Sequence, residues 1–120
     1  MSIADVFGSY LDRFTSGDIS GAAELLTDDF VFNGPMLQAE GKEAFLAGAA
    51  GLAPFVRGNE MLRQWVDGDE VCSVYNFKIE TPAGSGSITM AEWATVRDDK
   101  LASARVIFDT AAMTALMPAG

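Results

Sequence analysis

An α+β domain, with helices packed on one face of a curved antiparallel sheet, is what this sequence predicts, and two observations carry the prediction. The first half of the chain places apolar residues at three- and four-residue steps between capping residues, which is helical periodicity. The second half alternates apolar and polar residues between tight-turn signals, which is strand periodicity. Helices gathered before a run of hairpin-linked strands pack as two layers around one core. The 120 residues contain no repeat or linker and are read as a single domain, 1–120.

Each element has its own justification. From Ser2 to Ser16, Ile3, Val6, Phe7, Tyr10, Leu11 and Phe14 form the apolar stripe of a helix, and Gly17 suits its C-terminal stop. Asp18 can cap a shorter helix carrying Ile19, Ala22, Ala23, Leu25 and Leu26. After the break at Thr27-Asp28-Asp29, Phe30-Val31-Phe32 reads as a short strand ended by Asn33-Gly34-Pro35. A third helix, from about Gly41 to Leu52, packs Phe45, Leu46, Ala49 and Leu52 before Pro54 interrupts it. Four strands follow: Asn59 to Val66, Glu70 to Glu80, Ser87 to Arg97 and Leu101 to Asp109. Their turns fall at Asp67-Gly68-Asp69, Pro82 to Gly86 and Asp98-Asp99-Lys100. The tail from Thr110 to Gly120 reads either as one helical turn or as a frayed end.

Composition narrows the function. Seventeen acidic against eight basic residues give a net charge of −9, the wrong balance for holding nucleic acid phosphates or an anionic membrane surface. The apolar stretches are too short and too interrupted by Gly and Pro to span a membrane. The start, MSIADVF, has neither the basic nor the apolar part of a secretion signal, so the cytoplasm is expected. One cysteine, Cys72, and no histidine leave no expectation of an internal disulfide or a zinc site. Without histidine, acid–base chemistry falls to Asp, Glu, Tyr, Lys or Cys.

One residue breaks the strand pattern. In Ile88-Thr89-Met90-Ala91-Glu92-Trp93-Ala94-Thr95-Val96, one face reads Ile88, Met90, Glu92, Ala94, Val96: four apolar side chains and a carboxylate. A turn over Pro82 to Gly86 would set Ile79 opposite Ile88, Phe77 opposite Met90 and Tyr75 opposite Glu92, aligning the apolar faces. The last strand's apolar set, Ala102, Ala104, Val106 and Phe108, would bring Val106 opposite Glu92 and turn Arg105 away. Glu92 then either reaches solvent or a partner such as Arg63, or sits enclosed and titrates high because burial penalises its charge. On the strand from Asn59, either Glu60, Leu62, Gln64 and Val66 or Asn59, Met61, Arg63 and Trp65 face inward, so Glu60 is a second carboxylate to weigh. Trp93, Thr95 and Arg105 belong to the outer face, and Cys72 faces away from Tyr75.

The stretch YLDRFTSGDISGAAELLTDDFVFNGP, Tyr10 to Pro35, resembles the opening of the nuclear transport factor 2-like superfamily, in particular its ketosteroid isomerase and SnoaL-like polyketide cyclase branches. Glu40-Gly41-Lys42-Glu43-Ala44-Phe45 resembles the start of that family's third helix, and the hairpin series extends the likeness over nearly the whole chain. The resemblance implies a cone: a curved sheet wrapped on about three helices around an apolar pocket. It also implies a cofactor-independent acid–base enzyme of isomerase, cyclase or dehydratase type, or a non-catalytic binder. Either would take a hydrophobic polyketide-, terpenoid- or steroid-like molecule.

By the same resemblance Tyr10, seven residues before Gly17, matches the hydrogen-bond donor to a developing oxyanion. Glu92 matches the carboxylic acid that ketosteroid isomerase holds neutral in an apolar site, and Asn33 the asparagine that orients a ligand or a water. The pocket lining would include Phe14, Tyr75, Phe77, Met90, Val106 and Phe108. Two departures accompany these matches. Gly34 stands where the isomerase has its general base, and Val106 where epoxide hydrolase relatives have a catalytic aspartate. The outer sheet face, bearing Trp93, commonly joins two copies in this family, so a homodimer is expected.

Overall fold

The computed structural model of the chain describes residues 1–117. Helix α1, Ile3–Thr15, starts where the Ser2 side chain accepts the Asp5 N–H. It stops at Gly17, whose φ of +87° admits the left-handed turn, with Gly17 N–H donating to Phe14 C=O and Asp18 N–H to Arg13 C=O. Helix α2 covers only Ile19–Ala23, and β1 runs from Leu26 to Asn33. Leu26 is thus a strand residue and not the end of a helix, because Leu26 pairs in register with Leu101. The short β2, Gln38–Glu40, is a strand that the sequence pattern did not indicate. Helix α3, Lys42–Ala49, and a single 3₁₀ turn, Ala53–Phe55, lead into β3, Val56–Asp67. Then follow β4, Glu70–Thr81, β5, Gly84–Arg97, β6, Lys100–Phe108, and α4, Thr110–Leu116. The tail is therefore helical up to Leu116, while Pro118 to Gly120 lie outside the described residues.

The six strands make one curved, mixed sheet in the order β2-β1-β6-β5-β4-β3. All neighbours are antiparallel except β1 and β6, which run parallel. The expected antiparallel sheet thus carries one parallel seam, reached through the long excursion of α3 and three hairpin strands.

Register differs from expectation in three places. The β4–β5 turn is a tight one over Pro82-Ala83, with Thr81 opposite Gly84. Every pair is therefore shifted by two: Phe77 meets Ile88, Tyr75 meets Met90 and Ser73 meets Glu92. A shift of two keeps each side chain on its face, so Glu92 still points inward. On β3 a register shift between Met61 and Arg63 changes the parity, so Met61 pairs with inward Tyr75 while Gln64 pairs with buried Ser73. A second irregularity, at Thr95/Val96, brings Leu101 rather than Ala102 into the core. Both central residues of the β5–β6 turn, Asp98 and Asp99, have positive φ (55° and 60°), as a hairpin turn of the primed type requires.

The core lies between α1 and the concave sheet face. Val6, Phe7 and Leu11 are fully buried, and Phe7 packs on Tyr75 with ring centroids 6.5 Å apart. A second aromatic group ties α3 to β1: Phe45 stands 5.2 Å from Phe30 edge-on, 4.8 Å from Phe32 and 6.0 Å from Phe14. Burying each such ring contributes about 1.5–3 kcal/mol. Rings of both groups, Tyr75 from the first and Phe14, Phe32 and Phe45 from the second, also line a cavity.

Candidate functional site

A cavity of about 320 Å³ opens between α1, α3, α4 and the concave face of the sheet. Helix α1 contributes Tyr10 and Phe14 from its apolar stripe. Strand alternation contributes Tyr75 and Phe77 from β4, Met90 and Glu92 from β5, and Val106 and Phe108 from β6. All of these positions were expected to line a pocket. Also on the wall, and not expected there, are Phe32, Met36, Leu37 and Phe45, with Leu52, Met113 and Met117. The available signals were the apolar stripe holding Phe45 and the unusual number of methionines, residues that adapt to irregular apolar space.

Asn33 stands elsewhere. It pairs with Gln38 on one side and Arg105 on the other, on the outer face that Arg105 shares with Trp93. Its neighbours Phe32 and Gly34 take the two inward positions, so strand alternation excludes Asn33 from the cavity. Glu60 is likewise outside, exposed and accepting a hydrogen bond from Asn76 at 2.9 Å. Arg63 is exposed and does not pair with Glu92.

The polar end of the cavity consists of Glu92, Tyr75 and Tyr10. Glu92 is 3% exposed, and its Oε1 accepts the Tyr75 hydroxyl at 2.7 Å. The two are diagonal across the β4–β5 ladder, a reach that a long aromatic side chain can make. The other oxygen, Oε2, is buried and has no hydrogen-bond partner among the described residues. Burial pushes the Glu92 carboxyl up to about 7, against a smaller downward pull from the Tyr75 hydroxyl. Burial likewise raises Tyr10 and Tyr75 well above the usual phenol range, and the neighbouring Glu92 charge raises them further. Both phenols therefore remain protonated donors at neutral pH. A carboxyl poised near neutrality can accept or release a proton, and a phenol beside it can stabilise negative charge on a bound oxygen. Among the described residues no group of three or more metal-ligating side chains is assembled.

A family model for the SnoaL-like domain matches residues 7–104. The chain belongs to the SnoaL-like domain family. Solved structures agree on the SnoaL-like fold. A protein from Burkholderia pseudomallei K96243, described as NTF2-like, superposes with a TM-score of 0.82 at 15% identity, covering 99% of this chain and 100% of that one. One from Shewanella denitrificans OS-217, classed as a SnoaL-like polyketide cyclase, gives 0.82 at 13% identity over 95% of each chain. A protein from Kribbella flavida DSM 17836 gives 0.78 at 25% identity, covering 92% of this chain and 90% of that one. Comparison with curated proteins finds no match. No helix among the described residues is long and apolar enough to cross a membrane.

Gly34 also lines this cavity and is partly buried. A Cβ there would stand 3.0 Å from Val106 Cγ1 and 3.1 Å from the Phe32 ring. A side chain at position 34 would therefore need Val106 and Phe32 to give by a few tenths of an ångström. Among the described residues, Glu92 is the only carboxyl on the cavity wall.

Proposed function

We propose that the protein is a cofactor-independent acid–base enzyme of isomerase, cyclase or dehydratase type. Its substrate would be a hydrophobic molecule of polyketide, terpenoid or steroid kind that carries a carbonyl or hydroxyl group. The observation that carries this reading is the buried, unpartnered Oε2 of Glu92 at the polar end of an otherwise apolar cavity. An unpaired buried carboxyl costs folding energy, and such groups concentrate at sites where the polar group has chemistry to do.

In this reading Glu92 serves as acid and as proton acceptor in turn, since among the described residues no second carboxyl lines the wall. When Oε2 takes a proton from the carbon next to a substrate carbonyl, the C–H pair moves into the enolate and its charge settles on the carbonyl oxygen. In this reading the Tyr10 hydroxyl, from a residue that lines the same cavity, donates to that oxygen. Tyr75 holds Glu92 in orientation through Oε1. Where a carbon–carbon double bond is conjugated with that enolate, return of the proton to the far carbon of the conjugated system shifts the double bond and completes an isomerisation, and Glu92 ends as it began.

The test is exchange in D₂O. Hydrophobic ketones of the three classes are incubated with the wild type and with Glu92→Gln, and loss of α-proton NMR signal is followed. The wild type accelerates exchange of at least one ketone, and the substitution lowers that rate by about 100-fold or more. A ketone that binds without any accelerated exchange would establish the second reading, a non-catalytic binding protein. Gly34, standing where the resembled isomerase has its base, favours that reading.

We also propose a homodimer formed through the outer sheet face. Trp65, Trp93 and Ile107 are exposed there at 54%, 39% and 56%, and the Arg105 guanidinium lies 5.8 Å from the Trp93 ring. Such aromatic exposure on the outer sheet face fits an interface. Sedimentation of the wild type and of Trp93→Glu measures it: a dimer dissociated by the substitution supports the proposal, and a monomeric wild type overturns it.

A further inference from the structure

Among the described residues the cavity wall has one carboxyl and no basic residue, and Glu92 is buried. Tyr10 faces it from α1, Tyr75 and Ser73 from β4, Met90 and Ala94 flank it on β5, and Val106 stands opposite on β6. None of these carries a positive charge. The arginines and lysine that form ion pairs, Arg13, Lys42, Arg57 and Arg97, do so with other acids outside the cavity. When Glu92 ionises, its charge is therefore uncompensated among the described residues, and an occupant of the cavity can supply the compensation.

We infer that this cavity accepts apolar molecules bearing a protonated amine, with the Glu92 carboxylate as counter-ion and the surrounding ring faces as the cation's second support. The inference rests on reading the cavity as a ligand site, and it names a ligand class beyond the carbonyl compounds considered above. Three features favour an organic cation over the alternatives. A small metal ion needs several oxygen ligands, and this wall offers one carboxylate and two phenols amid apolar atoms. An ammonium carries its own apolar body into an apolar space and fills the hydrogen-bonding vacancy at Oε2 with an N–H donor. Aromatic rings are the main wall material: Tyr10, Phe14, Phe32, Phe45, Tyr75 and Phe77 all face the cavity, and ring faces attract desolvated cations. The net charge of −9 draws cations toward the molecule and holds anions away.

The proton balance separates this class from carbonyl ligands. A protonated amine pairs with ionised Glu92, so binding near neutral pH releases the proton from Oε2 to solvent. A carbonyl oxygen needs that proton as a hydrogen bond, so its binding retains it. Amine affinity accordingly rises with pH through the titration of Glu92, until the amine loses its own proton.

The experiment uses the whole chain with three probes of similar size: N,N-dimethylbenzylamine, its neutral isostere isobutylbenzene, and benzylacetone. Affinities are measured by ligand-detected NMR at pH 5.5 and pH 8 for the wild type and Glu92→Gln. The amine is expected to bind at least about 10-fold tighter than isobutylbenzene at pH 8, to lose most of that preference at pH 5.5, and to lose it at both pH values in Glu92→Gln. The pH comparison within the wild type stands even if the variant is poorly folded. Equal binding of amine and isobutylbenzene at pH 8, or a preference that survives in folded Glu92→Gln, overturns the inference. If benzylacetone binds while the amine is not preferred, the inference fails and the proposed acid–base function stands. If none of the three binds, the reading of the cavity as a ligand site fails with it.

Discussion

Replacing Glu92 by glutamine should change how stability depends on pH, and the size of the change follows from the site. Glutamine has the same shape and can still accept the Tyr75 hydroxyl, but it does not ionise. The wild-type carboxyl ionises near 4.5 when the chain is unfolded and near 7 when it is buried in the fold. Between those values the folded state holds the proton more tightly. Stability contributed by this group is therefore complete below about pH 4.5 and is lost as pH rises through about 7. At full ionisation the loss is on the order of 3 kcal/mol, and about 1 kcal/mol of it has already occurred at pH 5. Relative to the wild type, Glu92→Gln should thus gain about 2.5 kcal/mol in going from pH 5 to pH 8. Urea unfolding followed by the fluorescence of Trp65 and Trp93 measures both proteins at both pH values. Parallel pH profiles, differing by less than about 0.5 kcal/mol, would refute the reasoning: Glu92 would then be solvated or paired like a surface carboxylate.

Other substitutions test the remaining supports. Tyr75→Phe removes the hydroxyl that lowers the Glu92 carboxyl, so its midpoint should move above that of the wild type in an NMR titration. Gly34→Asp places a Cβ 3.0 Å from Val106 Cγ1. It should lower stability by about 1–3 kcal/mol in urea unfolding, showing that the isomerase's base position cannot simply be refilled. Phe45→Ala empties the centre of the Phe14, Phe30 and Phe32 group. It should cost about 3–5 kcal/mol by the same assay and widen the cavity.

The inward direction of Glu92 was legible because parity survives errors of register. The Pro82 to Gly86 segment reads equally as a five-residue turn or as Pro82-Ala83 followed by paired glycines, and the two readings differ by two residues. A slip of two moves every pair and no face. Asn33 shows the opposite case, where a local likeness to a motif was decided by a single step of alternation: Phe32 and Gly34 point in, so Asn33 points out. On β3 neither inward set was right along the whole strand, because the irregularity at Met61/Arg63 uses one set before it and the other after. The parallel pairing of β1 with β6 leaves no local trace, since the partners lie at opposite ends of the chain. The cavity's far wall was hidden for the same reason. Phe32, Phe45 and Met113 read as ordinary packing residues until the tertiary arrangement leaves space between them.

The most direct measurement of the central claim is a ¹³C NMR titration of the Glu92 side-chain carboxyl in the free protein and with N,N-dimethylbenzylamine or benzylacetone added. A midpoint of about 7 in the free protein is expected. The amine should move it down and the ketone up, because each favours one charge state. A midpoint near 4.5 that neither probe moves would contradict both the enclosure of Glu92 and its role as the polar end of a ligand cavity.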